Sequence, residues 1–183
     1  MNFDRSREDL IKFSGELYNK MKVLGRPVFL CVGSDKWVCD SLAPIVAETL
    51  REEYNIHAYV YGGLDYNINA NNLMEAVSYI ETVHPSNPIF LIDATLGDNV
   101  GRVEIKDGCV AGMGKCLPIR KLGTVSILGV VGRKGKNFDL NSTRLKVVME
   151  LAGFISTGCF LAMEKFDRSK TVSIGQKMSN LTC

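Results

Sequence analysis

The sequence lacks the features that mark membrane, secreted and nucleic-acid-binding proteins. No apolar run approaches the roughly 20 residues that a bilayer-spanning helix needs. The start, MNFDRSREDLIKF, is charged and has neither an apolar core segment nor a small-residue cleavage site, so it does not resemble a secretory signal. The formal net charge of +2 is too small and too scattered to predict nucleic-acid binding. We therefore expect a soluble, cytoplasmic protein without a membrane or nucleic-acid partner.

Histidine and cysteine are poorly placed for metal binding. The two histidines, His57 and His84, have no cysteine partner nearby, and the six cysteines form no CxxC pair. In a reducing compartment, such cysteines are expected to be free thiols. We predict no metal and no cofactor. Cys39 directly precedes Asp40, so modulation by oxidation stays open beside the more common role of packing.

Nucleotide and serine-hydrolase motifs are incomplete or absent. The segment GCVAGMGKC resembles a phosphate-binding loop, but five residues separate Gly108 from Gly114 where the motif needs four, and Cys116 replaces the Ser or Thr that would hold magnesium. VGSDKW lacks the later glycines of a dinucleotide fingerprint, and no GxSxG is present. The basic cluster Arg133, Lys134 and Lys136 is interpreted as a solvated loop.

The hydrophobic pattern predicts one α/β domain spanning 1–183. A chain of 183 residues, 46% apolar and 23% charged, is long enough for one sizeable core. Helical periodicity alternates with short apolar runs typical of strands buried on both faces. The predicted order is helix 3–23, strand 27–32, helix 40–54, strand 57–61, helix 69–83 and strand 88–92. This alternation predicts a three-layer α/β/α sandwich with a mostly parallel, doubly wound sheet.

The pattern changes after residue 93. Residues 102–106 alternate and lead into a turn at Gly108, which predicts a hairpin that interrupts the parallel alternation. A buried strand is predicted at 124–131 and a long covering helix at 141–164. The polar tail, 166–183, is predicted to be loosely ordered or only partly packed.

Two aspartates follow or end buried strands. Asp40 closes the segment PVFLCVGSDKWVCD, and Asp93 lies in PIFLIDATLGD. Parallel neighbouring strands would bring both carboxyl groups to one edge of the sheet, where α/β folds bind ligands. Two such groups could share a proton and work as an acid/base pair. The alternatives are that Asp40 caps the following helix and that loop amides satisfy Asp93.

Several segments together resemble the YyaC-type sporulation proteins, a family of candidate spore proteases. They are VGSDKWVCDSLAP, VYGGLD, FLIDATLGDNVGRVEIKDG, AGMGKCLPIRKLG and ILGVVG, in matching order over about residues 28–155. DSLAP and LIDA are also similar to segments of the germination protease, which degrades small acid-soluble spore proteins. The overall plan resembles the hydrogenase-maturation proteases, which implies a phosphorylase/hydrolase-like fold.

The resemblance implies catalytic roles for Asp40 and Asp93. It also implies a supporting cation at Lys115 and, within the narrower family, a role for Asp35, whose alternative role is loop capping. Ala43 replaces a glycine of the germination-protease element, and Ser41 stands where hydrogenase-maturation proteases carry a metal-binding carboxylate. Nickel binding is therefore not expected.

Glycine-containing loops after the strands are expected to line the cleft and hold an extended peptide. For Gly62 and Gly63, an ordinary turn is an equally good interpretation. The predicted substrate-binding positions are Gly33, Gly62, Gly63, Gly112 and Gly114.

The function expected from the pair and the resemblance is peptide hydrolysis without a metal, in a sporulating cell or forespore. The expected partner is a protein or peptide, for example a small acid-soluble spore protein, and a homo-oligomer is possible. Two alternatives stay open: a binding or regulatory module that does not cleave, and a small-molecule hydrolase that uses the same crevice.

Overall fold

The computed structural model describes residues 1–108, 125–135 and 142–179, with the backbone alone for 172–179. Its helices and strands are β1 Asn2–Phe3, α1 Arg7–Leu24, β2 Val28–Cys31, α2 Leu42–Glu48, β3 Tyr59–Tyr61, α3 Leu73–Val83, β4 Ile89–Leu96, β5 Val103–Asp107, β6 Val125–Gly132 and α4 Leu145–Ser179. A 3₁₀ turn, Val38–Asp40, precedes α2, and a π-helical turn, Thr49–Glu53, extends it.

The six described strands form one sheet in the order β1-β5-β6-β4-β2-β3. Four of them, β6, β4, β2 and β3, are parallel. The other two, β5 and β1, add antiparallel strands at one edge. The mostly parallel sheet predicted from the alternating pattern is therefore confirmed, as is the antiparallel interruption after β4.

Side chains that alternate along the central strands divide the core into two layers. On β2, Phe29 and Cys31 pack in the cluster that contains α1, α2 and α4 residues, whereas Val28 and Leu30 pack against α3. A strand buried on both faces needs apolar residues at every position, which explains its continuous apolar run. Helices therefore cover both faces of the sheet, and the predicted three-layer sandwich is confirmed.

Helix α4 is the largest covering element. Residues Leu145–Thr171 are long and apolar enough to cross a membrane by length and composition. Half of the most apolar window is buried inside the domain, however, and the helix packs against α1 and α2. This arrangement is typical of a core helix in a soluble α/β domain.

The segment predicted as a polar tail begins within α4, and its residues 180–183 lie outside the described residues. Residues 166–179 continue α4, and Phe166 is buried in the main core. Asp167 accepts a hydrogen bond from the Arg26 guanidinium, and Arg168 pairs with Glu164 one turn earlier. The first turn of this segment is fixed by a buried ring and an ion pair.

Candidate active site

The neighbouring strands β2 and β4 bring Asp93 next to the loop that carries Asp40. In the register between these strands, Cys31 is opposite Ile92, and the Val32 amide donates to the Ile92 carbonyl over 2.9 Å. Asp93 is therefore the first β4 residue beyond the end of β2. The chain leaves β2 toward β3 on one side and leaves β4 toward β5, which lies beyond β6, on the other. Such a reversal of strand order is where parallel α/β sheets open a ligand crevice.

The loop after β2 folds back so that Asp40 lies over the end of that strand. The Ser34 amide donates to the backbone carbonyl of Asp40 over 3.0 Å, and the Asp40 amide donates to the Trp37 carbonyl over 2.9 Å. Gly33 has a φ of 155°, and a Cβ atom there would collide with the Asp40 carbonyl oxygen. Only glycine allows this close approach. The 3₁₀ turn that ends at Asp40 also contacts β4.

Asp40 is not the N-cap of α2. That position is held by Ser41, whose hydroxyl donates to the Val38 carbonyl over 2.9 Å and makes no cap bond to α2. The capping alternative for Asp40 is therefore wrong, because Asp40 ends the 3₁₀ turn and Ser41 lies between it and the first residue of α2. This leaves the half-buried Asp40 carboxyl group without the commonest structural reason for an aspartate at this place.

The two carboxyl groups have different environments. Burial raises the pKa of Asp40 above its ordinary value, and a hydrogen bond from the Ser34 amide offsets part of this rise. Asp93 is more deeply placed, with 6% of its surface exposed, and its Oδ1 accepts a hydrogen bond from the Ala94 amide over 2.7 Å. Asp40 is thus the more accessible of the two.

Asp35 has a structural partner. Its backbone amide donates to Oδ1 of Asn67 over 3.2 Å, and Nδ2 of Asn67 donates to the Asp35 carboxylate over 2.9 Å. These reciprocal bonds join the loop after β2 to the loop after β3. They favour the loop-capping role for Asp35, and the supporting role expected for it in the site stays a prediction.

Gly62 and Gly63 are buried in close contacts with the protein itself. A Cβ atom at Gly62, where φ is 90°, would meet the Cys31 carbonyl, and one at Gly63 would meet the side chains of Arg51 and Glu48. Gly33 is also buried, and its amide donates to the Ile68 carbonyl over 2.7 Å. All three glycines therefore have structural reasons to be present, and their predicted contact with substrate remains untested.

A polar clamp that the sequence reasoning missed holds the loop after β3. Arg51 donates to the Gly62 carbonyl over 2.8 Å and to Glu48 Oε1 over 2.9 Å, and the same Glu48 oxygen accepts the Leu64 amide over 2.9 Å. The spacing of three residues between Glu48 and Arg51 is common on exposed helix faces. Nothing in that local pattern indicates a partner in a distant loop.

Three predicted site residues, Gly112, Gly114 and Lys115, lie outside the described residues.

The described cysteines are all free, and they are buried. Burial, followed by the nearby charge of Asp40, raises the pKa of Cys39, which supports its packing role. His84 pairs with the Tyr61 hydroxyl over 2.8 Å, and His57 lies 3.2 Å from the Asp167 carboxylate. Within residues 1–108, 125–135 and 142–179, no group of three His, Cys, Asp or Glu side chains is placed to hold a metal ion.

Three comparisons relate the chain to known proteins. The family described as Protein of unknown function (DUF1256) matches residues 3–158. The Uncharacterized protein YyaC of Bacillus subtilis strain 168 is 34% identical over 148 residues, which cover 76% of this chain and 71% of that protein. A solved structure, the nickel–iron hydrogenase maturation protease HycI of Thermococcus kodakarensis KOD1, is 19% identical, with a TM-score of 0.49 over 79% of this chain and 98% of HycI. The resemblance to YyaC-type proteins is confirmed, and the chain belongs to the DUF1256 family.

Proposed function

We propose that this protein is a peptidase that hydrolyses a peptide bond with Asp40 and Asp93. The observation that carries the proposal is the placement of Asp93 on β4, one position beyond the end of β2 and beside the turn that ends at Asp40, with Asp40 half-buried and its pKa raised by that burial. The similarity of DSLAP and LIDA to the germination protease supports the same pair.

In this mechanism, the ionised Asp40 carboxylate takes a proton from a water molecule, whose oxygen attacks the peptide carbonyl carbon. A raised pKa makes Asp40 a stronger base than an ordinary aspartate. The second carboxyl group, Asp93, helps to hold the carbonyl oxygen or the water in place. When the C–N bond breaks, the proton on Asp40 passes to the leaving amine, so the carboxylate is regenerated.

The proposed substrate is a protein of the spore, with the small acid-soluble spore proteins as the first class to test. The proposed place of action is the cytoplasm of a sporulating cell or forespore. The proposed substrate and the proposed place of action both follow from the resemblance to the YyaC-type proteins and the germination protease.

The second candidate is a binding or regulatory module of sporulation that does not cleave. The 6% exposure of Asp93 favours it, because a carboxylate so deeply buried has little access to substrate unless the crevice opens. The two candidates differ in whether substitution of Asp93 abolishes a chemical reaction or only changes binding.

The deciding experiment incubates the purified protein with an acid-soluble extract of spores and measures intact masses over time. Asp40→Asn and Asp93→Asn are compared with Asp98→Asn, a control at an exposed aspartate two residues beyond β4. Fragments from wild type and Asp98→Asn, and none from the other two variants, would support the peptidase. Identical fragments from all four proteins would reject the pair, and an unchanged extract with all four proteins folded would favour the binding module.

A further inference from the structure

Exposed apolar side chains collect on one side of the proposed catalytic pair. Trp37 and Val38, in the connection from β2 to α2, are 46% and 38% exposed, and Leu64 and Tyr66, in the loop after β3, are 41% and 66% exposed. We call these four residues the apolar rim. Single exposed apolar residues need no explanation, but a group next to a candidate site marks a binding surface.

The two loops of the apolar rim are joined to each other. The reciprocal bonds between Asp35 and Asn67 link them directly, and Asn67 also donates to the Leu64 carbonyl over 3.4 Å. The loop after β3 is further held by the Glu48 and Arg51 clamp. The four side chains of the rim are therefore carried by two loops that hydrogen bonds hold together. Trp37 adjoins the pair itself, since its carbonyl accepts the Asp40 amide.

The position of the rim indicates an elongated ligand. Strands β3, β2 and β4 are neighbours, and strands in a sheet lie about 4.8 Å apart. A ligand that touches the rim above β3 and β2 and reacts beside Asp93 on β4 therefore spans about 5–10 Å, the length of two or three extended residues. An extended peptide fits this requirement better than a compact small molecule.

Charge on the two sides of the pair differs. Beside the rim, two exposed residues, Asp35 and Asp65, are negatively charged, and one, Lys36, is positively charged. Beyond β4, the exposed Arg133 and Lys134 follow the end of β6. A peptide laid across the edge is thus favoured if it carries a basic residue near the rim and an acidic residue near β6.

We propose that the apolar rim binds a bulky apolar side chain of an extended polypeptide, flanked by Lys or Arg and lying two to three residues from the bond that is cleaved. The inference rests on the proposed function for the position of the bond, but binding at the rim is measurable without cleavage. Tyr66 and Trp37 are positioned to contact this side chain.

Trp37 is the sole tryptophan of the chain, so its fluorescence reports on the rim alone. The titration uses the Asp93→Asn protein, which separates binding from hydrolysis, and ten-residue peptides without Trp or Tyr. One peptide carries Lys-Phe followed two residues later by Glu, the second exchanges Lys and Glu, and the third replaces Phe with Ser. Each of the three peptides is also synthesised with its sequence reversed, because the direction in which a peptide would bind is not known. Tyr66→Ala is compared with Tyr59→Ala, a control at an exposed tyrosine at the other end of β3.

The first peptide is expected to change the Trp37 emission and to bind at least about tenfold more tightly than the other two. Tyr66→Ala should weaken its binding by a similar factor, and Tyr59→Ala should not. The inference is overturned if no peptide changes the emission, if Tyr66→Ala has no effect, or if light scattering shows that the rim is covered by a second copy of the chain.

The two proposals fail separately. If peptides bind with these preferences but the wild-type protein does not cleave them, binding at the rim is supported and the peptidase function is rejected. If the protein cleaves peptides and Tyr66→Ala leaves the KM unchanged, the peptidase function is supported and binding at the rim is rejected.

Discussion

The backbone of Asp40 lies so close to Gly33 that a Cβ atom at Gly33 would occupy the place of the Asp40 carbonyl oxygen. The φ of 155° at Gly33 is also unfavourable for other residues. The position of Asp40 at the end of β2 therefore depends on the absence of a side chain seven residues earlier.

Gly33→Ala is predicted to destabilise the protein by about 3 kcal/mol, through both the collision and the backbone strain. Urea unfolding measures the change. Gly15→Ala is the matched control, since Gly15 lies inside α1 with nothing within 4 Å of the added Cβ, and it should stabilise by about 0.5–1 kcal/mol. Equal effects of the two substitutions would show that the loop after β2 adapts easily.

The raised pKa of Asp40 predicts how the stability of Asp40→Asn depends on pH. Because folding raises this pKa, the contribution of Asp40 is fully present below its unfolded pKa and is lost as pH rises through the folded pKa. Asn removes the cost of burying the charge. The variant should therefore gain stability relative to wild type between acidic and neutral pH, although it loses the proposed activity. Thermal unfolding across this range provides the measurement, and a difference that moves the opposite way would contradict burial as the dominant cause.

The strands could be predicted from the sequence more completely than the site. Strands β2, β4 and β6 stand out because burial on both faces demands unbroken apolar runs. Strand β1 has only two residues, Asn2–Phe3, and depends on its pairing with β5, so no local pattern indicates it. The 3₁₀ turn before α2 is likewise not indicated by the sequence, because such turns are common at the ends of α-helices and a hydrophobic pattern does not separate the two. Because this turn ends at Asp40, the helix begins one residue later than the hydrophobic pattern suggests, and Ser41 is its N-cap.

The supporting contacts of the site could not be read from the sequence for a different reason. Asp35 and Asn67 are separated by 32 positions, and Glu48 and Leu64 by 16. The fold brings each pair together: the first joins the loops after β2 and β3, and the second joins α2 to the loop after β3. That Asp93 lies beside the loop of Asp40 is predictable from the sequence, because neighbouring parallel strands run to the same edge of the sheet, and the catalytic role of the two residues stays a prediction.

The buried thiols should be chemically inert in the native protein. Burial raises the pKa of Cys31 to about 12 and also raises that of Cys39 and Cys159. Since the thiolate is the reactive form, iodoacetamide should modify these three residues only after denaturation. Peptide mass spectrometry after native and denaturing alkylation measures this. Native modification of Cys39 together with a change in activity would instead support the open alternative, in which oxidation next to Asp40 modulates the site.

The reciprocal bonds between Asp35 and Asn67 predict a substitution pattern that distinguishes loop capping from catalysis. An Asn at position 35 keeps the oxygen that accepts the Asn67 amide, so Asp35→Asn should preserve stability and any activity. Asp35→Ala and Asn67→Ala should each cost about 1 kcal/mol, and the double variant should cost less than their sum because both remove the bond from Asn67 Nδ2 to the Asp35 carboxylate. Denaturant unfolding of the four proteins gives the coupling free energy. If Asp35→Asn instead lost activity as completely as Asp40→Asn while its stability was unchanged, the carboxylate of Asp35 would take part in the reaction. Additive losses in the two Ala variants would show that the bonds do not join the loops in solution.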